Sequence, residues 1–83
     1  MRILFAGNKE RGAACLRGIL QAGHAVLGVI AHPPSGDLYT DDAFLDAAKD
    51  AGAPLFRPAD INAPEFLEII RPLAPDVIVL AGY

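Results

Sequence analysis

The sequence predicts an α/β unit: a parallel sheet with helices on both faces. Three observations carry this. Four short apolar runs alternate with three helical patterns. Three of those runs are continuously apolar, as in strands covered on both sides, rather than alternating with polar residues. Glycine or proline stands at most of the junctions, where the chain must turn.

Each element has a local reason. Residues 2–6 read as the first strand, 25–31 as the second, 54–56 as a short third and 76–81 as the fourth. Ile3, Leu4 and Phe5, then Val26, Leu27, Val29 and Ile30, then Val77 to Leu80, are expected to fill the interior. The first helix spans 10–22 with Cys15, Leu16, Ile19 and Leu20 on one side, and Gly23 closes it as a left-handed cap. The second spans 41–51. Thr40 is its expected cap, Asp41 and Asp42 suit its positive end, Lys49 its negative end, and Gly52 closes it. Its inward stripe is Phe44, Leu45 and Ala48. The third spans 63–71, with Asn62 as N-cap, Glu65 at capping-box spacing, and Phe66, Leu67, Ile69 and Ile70 as its apolar side; Pro72 stops it. Right-handed crossovers convert this order into a half-Rossmann sheet ordered 3-2-1-4. No repeat, linker or second domain is expected.

Composition narrows the function classes. The chain has 83 residues, 53% of them hydrophobic, which excludes disorder as its main state. Seven basic and ten acidic residues give a net charge of -3 with no basic block, against a non-specific nucleic-acid or anionic-membrane surface. The single cysteine, Cys15, has no disulfide partner within the chain and reads as a core thiol. The apolar start at Ile3 breaks at Gly7-Asn8-Lys9 before reaching signal-peptide length, and no stretch approaches the roughly eighteen apolar residues of a membrane span. A cytoplasmic protein is expected.

The loops at the carboxyl ends of the strands are where such folds bind ligands. In the turn Gly7-Asn8-Lys9-Glu10-Arg11-Gly12, Lys9 occupies the place of the middle glycine of a dinucleotide fingerprint. The second strand ends Ala31-His32-Pro33, without the acidic residue that holds a ribose. Ala13-Ala14 replaces the Lys and Ser/Thr of a nucleotide P-loop. What remains is a turn at a helix start that can receive an anion, set against a reading in which Gly7 only relieves a tight turn. His32 could donate a hydrogen bond or act as acid or base at the crevice; a loop-capping role competes with this. Arg57 sits at the same rim, where an anionic ligand, a local carboxylate or solvent could face it. The loop 34–37 falls on the same side. Asp37, Asp41 and Asp42 read as turn and cap residues, Asp60 and Asp76 border turns, and His24 lies in an exposed turn. No metal cluster is apparent.

Several stretches carry a family resemblance. Met1-Arg2-Ile3-Leu4-Phe5-Ala6-Gly7-Asn8, Leu16 to Leu20, Ala22-Gly23-His24, Val26 to Ala31, Gly52 to Pro58 and Pro75-Asp76-Val77-Ile78-Val79-Leu80-Ala81-Gly82-Tyr83 together resemble the opening of the folate-dependent formyltransferases. Methionyl-tRNA and sugar-nucleotide N-formyltransferases both look like this. The resemblance covers essentially the whole chain. It implies an enzyme that moves a formyl group from N10-formyltetrahydrofolate, as co-substrate, to an amine. The family's catalytic Asn-x-His motif and later aspartate follow the fourth strand, and Asn62 and His32 do not match those positions. No catalytic residue is therefore assigned within the chain. The resemblance implies a substrate-facing wall of Gly7, Asn8, Lys9, Arg11, His32 and Arg57, with the loop 32–39 beside it. Gly82 and Tyr83 touch the start of the pterin-binding segment. Nucleic acid is a partner only if the parent is the tRNA-modifying type.

The expectation is thus an amino-terminal part of a formyltransferase domain, itself inactive. A small non-catalytic α/β ligand-binding or assembly module, and a degenerate nucleotide-binding Rossmann protein, are the alternatives. The uncharged run Val77-Ile78-Val79-Leu80 would form a bare sheet edge, calling for the rest of the domain, a second copy or a partner strand.

Overall fold

The computed structural model describes residues 1–33 and 42–83. The elements are β1 (Arg2–Gly7), α1 (Lys9–Gln21), β2 (Ala25–Ile30), α2 (Asp42–Ala51), β3 (Leu55–Phe56), α3 (Pro64–Ile70), a 3-10 turn (Arg71–Leu73) and β4 (Val77–Ala81). The four strands form one parallel sheet ordered β3-β2-β1-β4, as the apolar runs predict.

Alternation along β1 assigns the two faces. Ile3 and Phe5 point into a core with Ala13 and Leu16 of α1, Val29 of β2, and Phe44, Ala47 and Ala48 of α2. The Phe5 and Phe44 rings stack with centroids 6.1 Å apart. Leu4 and Ala6 point to the other face, where Ile30, Phe66 and the partly buried Phe56, Ile61, Ile70 and Tyr83 meet them. Here the Phe56 and Phe66 rings meet edge to face at 5.9 Å. Between Ile3 and Leu4 the register against β2 shifts, so that Leu4 pairs with Gly28 rather than Leu27. A Cβ at Gly28 would stand 2.7 Å from the Phe56 ring, so the bare backbone there lets β3 close on β2.

Gly23 and Gly52 end α1 and α2 at φ of +85° and +69°, as expected of left-handed caps. Thr40, Asp41 and the loop 34–37 lie outside the described residues.

Three expectations are corrected. Asn62 does not cap α3: the N-cap is Ala63, without a side-chain hydrogen bond, and Pro64 follows in the first turn. Proline pushes the residue before it into extended backbone, so the helix boundary moves to Ala63. The Asn62 amide instead donates to Asp60 Oδ1 at 2.9 Å. In α2, Ala47 rather than Leu45 joins Phe44 and Ala48 as fully buried. Most consequentially, β4 is not interior on both faces. Val79 and Ala81 pack on the first core, but Ile78 and Leu80 are 54% and 65% exposed. Leu67 and Ile69 of α3 are exposed too.

The uneven coverage sets the stability map. Phe44→Ala should cost about 3–5 kcal/mol, since it empties a fully buried site, while Ile69→Ala should cost less than about 1 kcal/mol. Urea denaturation of both variants checks this order.

Candidate functional site

The carboxyl ends of β1 and β4 meet at one point, the Ala81 carbonyl. The Asn8 amide donates to it at 3.2 Å. A Cβ added to Gly7 would lie 2.7 Å from the same oxygen and within 2.9 Å of the Phe5 and Phe44 rings; one added to Gly12 would lie 2.9 Å from it. Gly7 is therefore required by close approach, not merely by the turn. Across the turn, Gly82 adopts φ +78°, and its own Cβ would come 2.9 Å from the Asn8 carbonyl oxygen.

Asn8 is buried and caps α1 from extended backbone; its Oδ1 accepts from the Lys9 amide at 2.8 Å. Lys9 then takes the left-handed conformation, φ 61°. This is the place where a dinucleotide fingerprint carries glycine, and the backbone here adopts a shape glycine favours while bearing a long cation. Around the junction opens a cleft of about 530 Å³ lined by Asn8, Lys9, Glu10, Arg11 and Gly82. Lys9, Glu10 and Arg11 are exposed at its mouth.

The remaining expected residues form a second group. His32, buried just past β2, stacks on Tyr83 with ring centroids 4.3 Å apart and planes 19° from parallel. Arg57, past β3, donates from Nε to the His32 carbonyl oxygen at 2.7 Å. Its guanidinium is thus engaged with backbone. Burial, with a smaller contribution from the Asp60 carboxylate, raises the Tyr83 phenol above its ordinary value of 10.0. The fold therefore brings Asn8, Lys9, Arg11 and Gly82 together at one cleft, with Gly7 buried behind it against the Ala81 carbonyl, and it groups His32 and Arg57 with Tyr83, the neighbour of Gly82.

The other polar residues serve the scaffold. Asp76 Oδ2 accepts from the Arg2 amide at 2.9 Å, and Arg2 Nη2 donates to the Leu73 carbonyl at 2.7 Å. His24 Nδ1 lies 3.4 Å from the terminal amine, and Cys15 is a half-buried thiol against the first core. Among the described residues, no three His, Cys, Asp or Glu side chains gather as a metal site, and no helix is long and apolar enough to cross a membrane.

Comparison with known proteins now adds to this geometry. The chain is 37% identical over 86 residues to methionyl-tRNA formyltransferase of Acidithiobacillus ferrooxidans and 31% identical over 87 aligned positions to that of Marinobacter nauticus. These alignments cover 99% and 100% of the chain. The chain is thus similar over its whole length to the amino-terminal portion of methionyl-tRNA formyltransferases. It spans 28% of the length of either relative. No family model matches it. Glycinamide ribonucleotide transformylase 1 from Symbiobacterium toebii shares the fold, with a TM-score of 0.65 at 22% identity over 100% of this chain and 42% of that one. The α/β sheet ordered 3-2-1-4 thus matches the fold of that transformylase over the whole of this chain.

At this cleft, sequence reasoning missed the Ala81 carbonyl as the hub. A backbone oxygen leaves no residue-type signal; the paired Gly7 and Gly12 were the readable trace. Gly7→Ala should cost about 1–3 kcal/mol through overpacking, whereas Lys9→Gly should be neutral or stabilising by up to about 1 kcal/mol. Thermal melts of both variants test the pair. Tyr83 titrates later folded than unfolded, so its contribution is intact below about pH 10 and declines as pH rises through the raised value. Tyr83→Phe should flatten stability against pH on the alkaline side, as followed by urea titration at increasing pH.

Proposed function

We propose that these 83 residues form the amino-terminal part of a formyltransferase catalytic domain and supply the wall facing its amine-bearing substrate. The observation that carries this is the whole-chain similarity to methionyl-tRNA formyltransferases. The chemistry at the cleft agrees. Formyl transfer needs a group that takes a proton from the attacking amine and a donor for the oxyanion of the tetrahedral intermediate. The cleft offers two exposed cations, Lys9 and Arg11, one exposed carboxylate, Glu10, and a capping amide, Asn8. Such a set holds an anionic part of a substrate; it does not make a complete acid–base pair.

In this reading N10-formyltetrahydrofolate is the formyl donor, with Gly82 and Tyr83 at the edge of its binding segment. Lys9 and Arg11 engage phosphate or carboxylate on the acceptor, whether methionyl-tRNA, a sugar nucleotide or another amine. His32 and Arg57 shape the wall through their contacts with Tyr83 and with each other. The catalytic asparagine, histidine and aspartate of the family lie outside these residues, and no metal is required. A cytoplasmic setting goes with this reading. A non-catalytic assembly module is the second reading, favoured by the exposed Ile78 and Leu80.

Two assays test the proposal. The 83-residue chain, given formyl donor and either methionyl-tRNA or an amino-sugar nucleotide, should give no turnover; measurable transfer would contradict it. The chain extended past Tyr83 by the carboxyl-terminal remainder of the Acidithiobacillus ferrooxidans relative should transfer formyl. In that protein, Lys9→Ala combined with Arg11→Ala should raise KM for the acceptor about tenfold or more while leaving KM for the donor unchanged. A folded extended protein that transfers to neither acceptor would remove the formyltransferase reading.

A further inference from the structure

The backbone ladder between β2 and β3 is short, and the sequence says why. Along it the Val29 amide donates to the Pro54 carbonyl at 2.9 Å and the Ala31 amide to the Phe56 carbonyl at 2.8 Å. Two residues further on stand Pro33 and Pro58, which have no amide proton with which to continue it. At that point a side chain takes over: Arg57 Nε donates to the His32 carbonyl at 2.7 Å. A charged donor on a part-buried carbonyl makes a short, directional bond. It ties the tail of β2 to β3 beyond the reach of backbone pairing.

The residue held in this way carries a ring that reaches across the sheet. His32 is buried, and its ring stacks on Tyr83, which follows β4. Because β1 lies between β2 and β4, the stack bridges over the end of the strand that separates them. Room for it exists because the chain turns at Asn8 into α1, which packs on the opposite face. Tyr83 itself packs with the Leu4, Ala6 and Ile30 cluster. Its neighbour Gly82 lines the candidate cleft and lies so close to the Asn8 carbonyl that a Cβ would stand 2.9 Å from that oxygen. Movement of the Tyr83 ring is therefore passed through one peptide unit to the wall of the cleft.

We propose that Arg57 is a positioning residue: by holding the His32 carbonyl it sets the His32 ring as the platform for Tyr83, and so fixes the Gly82–Tyr83 corner of the candidate cleft. It acts through His32 and Tyr83, and its role needs the N–H donor at the ε position, not the charge. In this it differs from Lys9 and Arg11, whose side chains stand at the mouth of the cleft. The proposal rests on the formyltransferase reading only for what the cleft binds. The contacts it concerns lie wholly within the 83 residues.

Two substitutions of similar length separate the donor from the charge. Arg57→Gln keeps an N–H donor at the ε position without a charge, and Arg57→Met keeps the stem without a donor. Nuclear magnetic resonance on the 83-residue chain, at about pH 9 and so above the ordinary imidazole range, compares the ring protons of His32 with those of His24, which lies outside the stack. In the unsubstituted chain and in Arg57→Gln the His32 ring protons should lie upfield of those of His24, displaced by the Tyr83 ring. In Arg57→Met they should move to the His24 position. The Tyr83 phenol reports from the other ring: it should stay raised in Arg57→Gln and fall back toward 10.0 in Arg57→Met. Loss of a nearby cation alone would move the phenol upward in both variants, so the sign separates positioning from direct charge. Arg57→Gln behaving as Arg57→Met, or Arg57→Met behaving as the unsubstituted chain, would overturn the proposal. So would His32 signals that already coincide with those of His24 in the unsubstituted chain, whichever variants fold. Formyl transfer by the extended protein is read separately: the expected shifts without transfer leave the positioning role standing and remove the functional reading.

Discussion

One backbone oxygen organises the end of this molecule that holds the candidate site. The Ala81 carbonyl accepts from the Asn8 amide and sits where side chains at Gly7 or Gly12 would have to go. Any Cβ at those positions would have to push β4 away from β1 and displace the Phe44 ring of α2. The contact therefore couples the last strand to the first turn, and the first helix to the second. Asn8 can cap α1 and line the cleft only because its backbone is held there. The left-handed Lys9 follows from that arrangement and aims a cation from the helix start.

The sheet is asymmetric in its covering, and this asymmetry has a simple origin. Two helices return over the face of Ile3 and Phe5, so that face closes with fully buried Phe5, Leu16 and Phe44. The other face has one seven-residue helix, α3, which packs on Leu4, Ala6 and Ile30 and leaves Ile78 and Leu80 of β4 exposed. The first face gives the unit a packed centre from which the strand ends can be positioned. The second gives it an open apolar groove beside Tyr83. The candidate cleft at Gly82 and this groove at Tyr83 are thus neighbours in the chain.

Much of the fold was legible because continuous apolar runs and left-handed glycine caps report local geometry directly. The strand order follows from those runs once handedness is applied. What was not legible depended on neighbours. Val77 to Leu80 reads as buried in any single window, but burial of Ile78 and Leu80 is decided by whether an element lies over them. Asn62 and Glu65 have capping-box spacing, yet Pro64 fixes Ala63 in extended backbone and moves the helix start. At the site, Gly7, Asn8, Lys9 and Arg11 were readable as a turn facing a crevice. The pairing of His32 with Tyr83, fifty-one positions apart in the chain, and the engagement of Arg57 by a carbonyl have no signature in composition or spacing.

Amide hydrogen exchange at Asn8 tests the organising contact most directly. The Asn8 amide lies at the end of β1, before the first turn of α1, where a helix-start amide lacks an intrahelical partner and ordinarily exchanges quickly. Held by the Ala81 carbonyl, it should exchange as slowly as the amides of Leu4 and Phe5 within the sheet. Exchange at the rate of the frayed ends, with Leu4 and Phe5 still protected, would show that β4 is not locked to the first turn and would contradict this account.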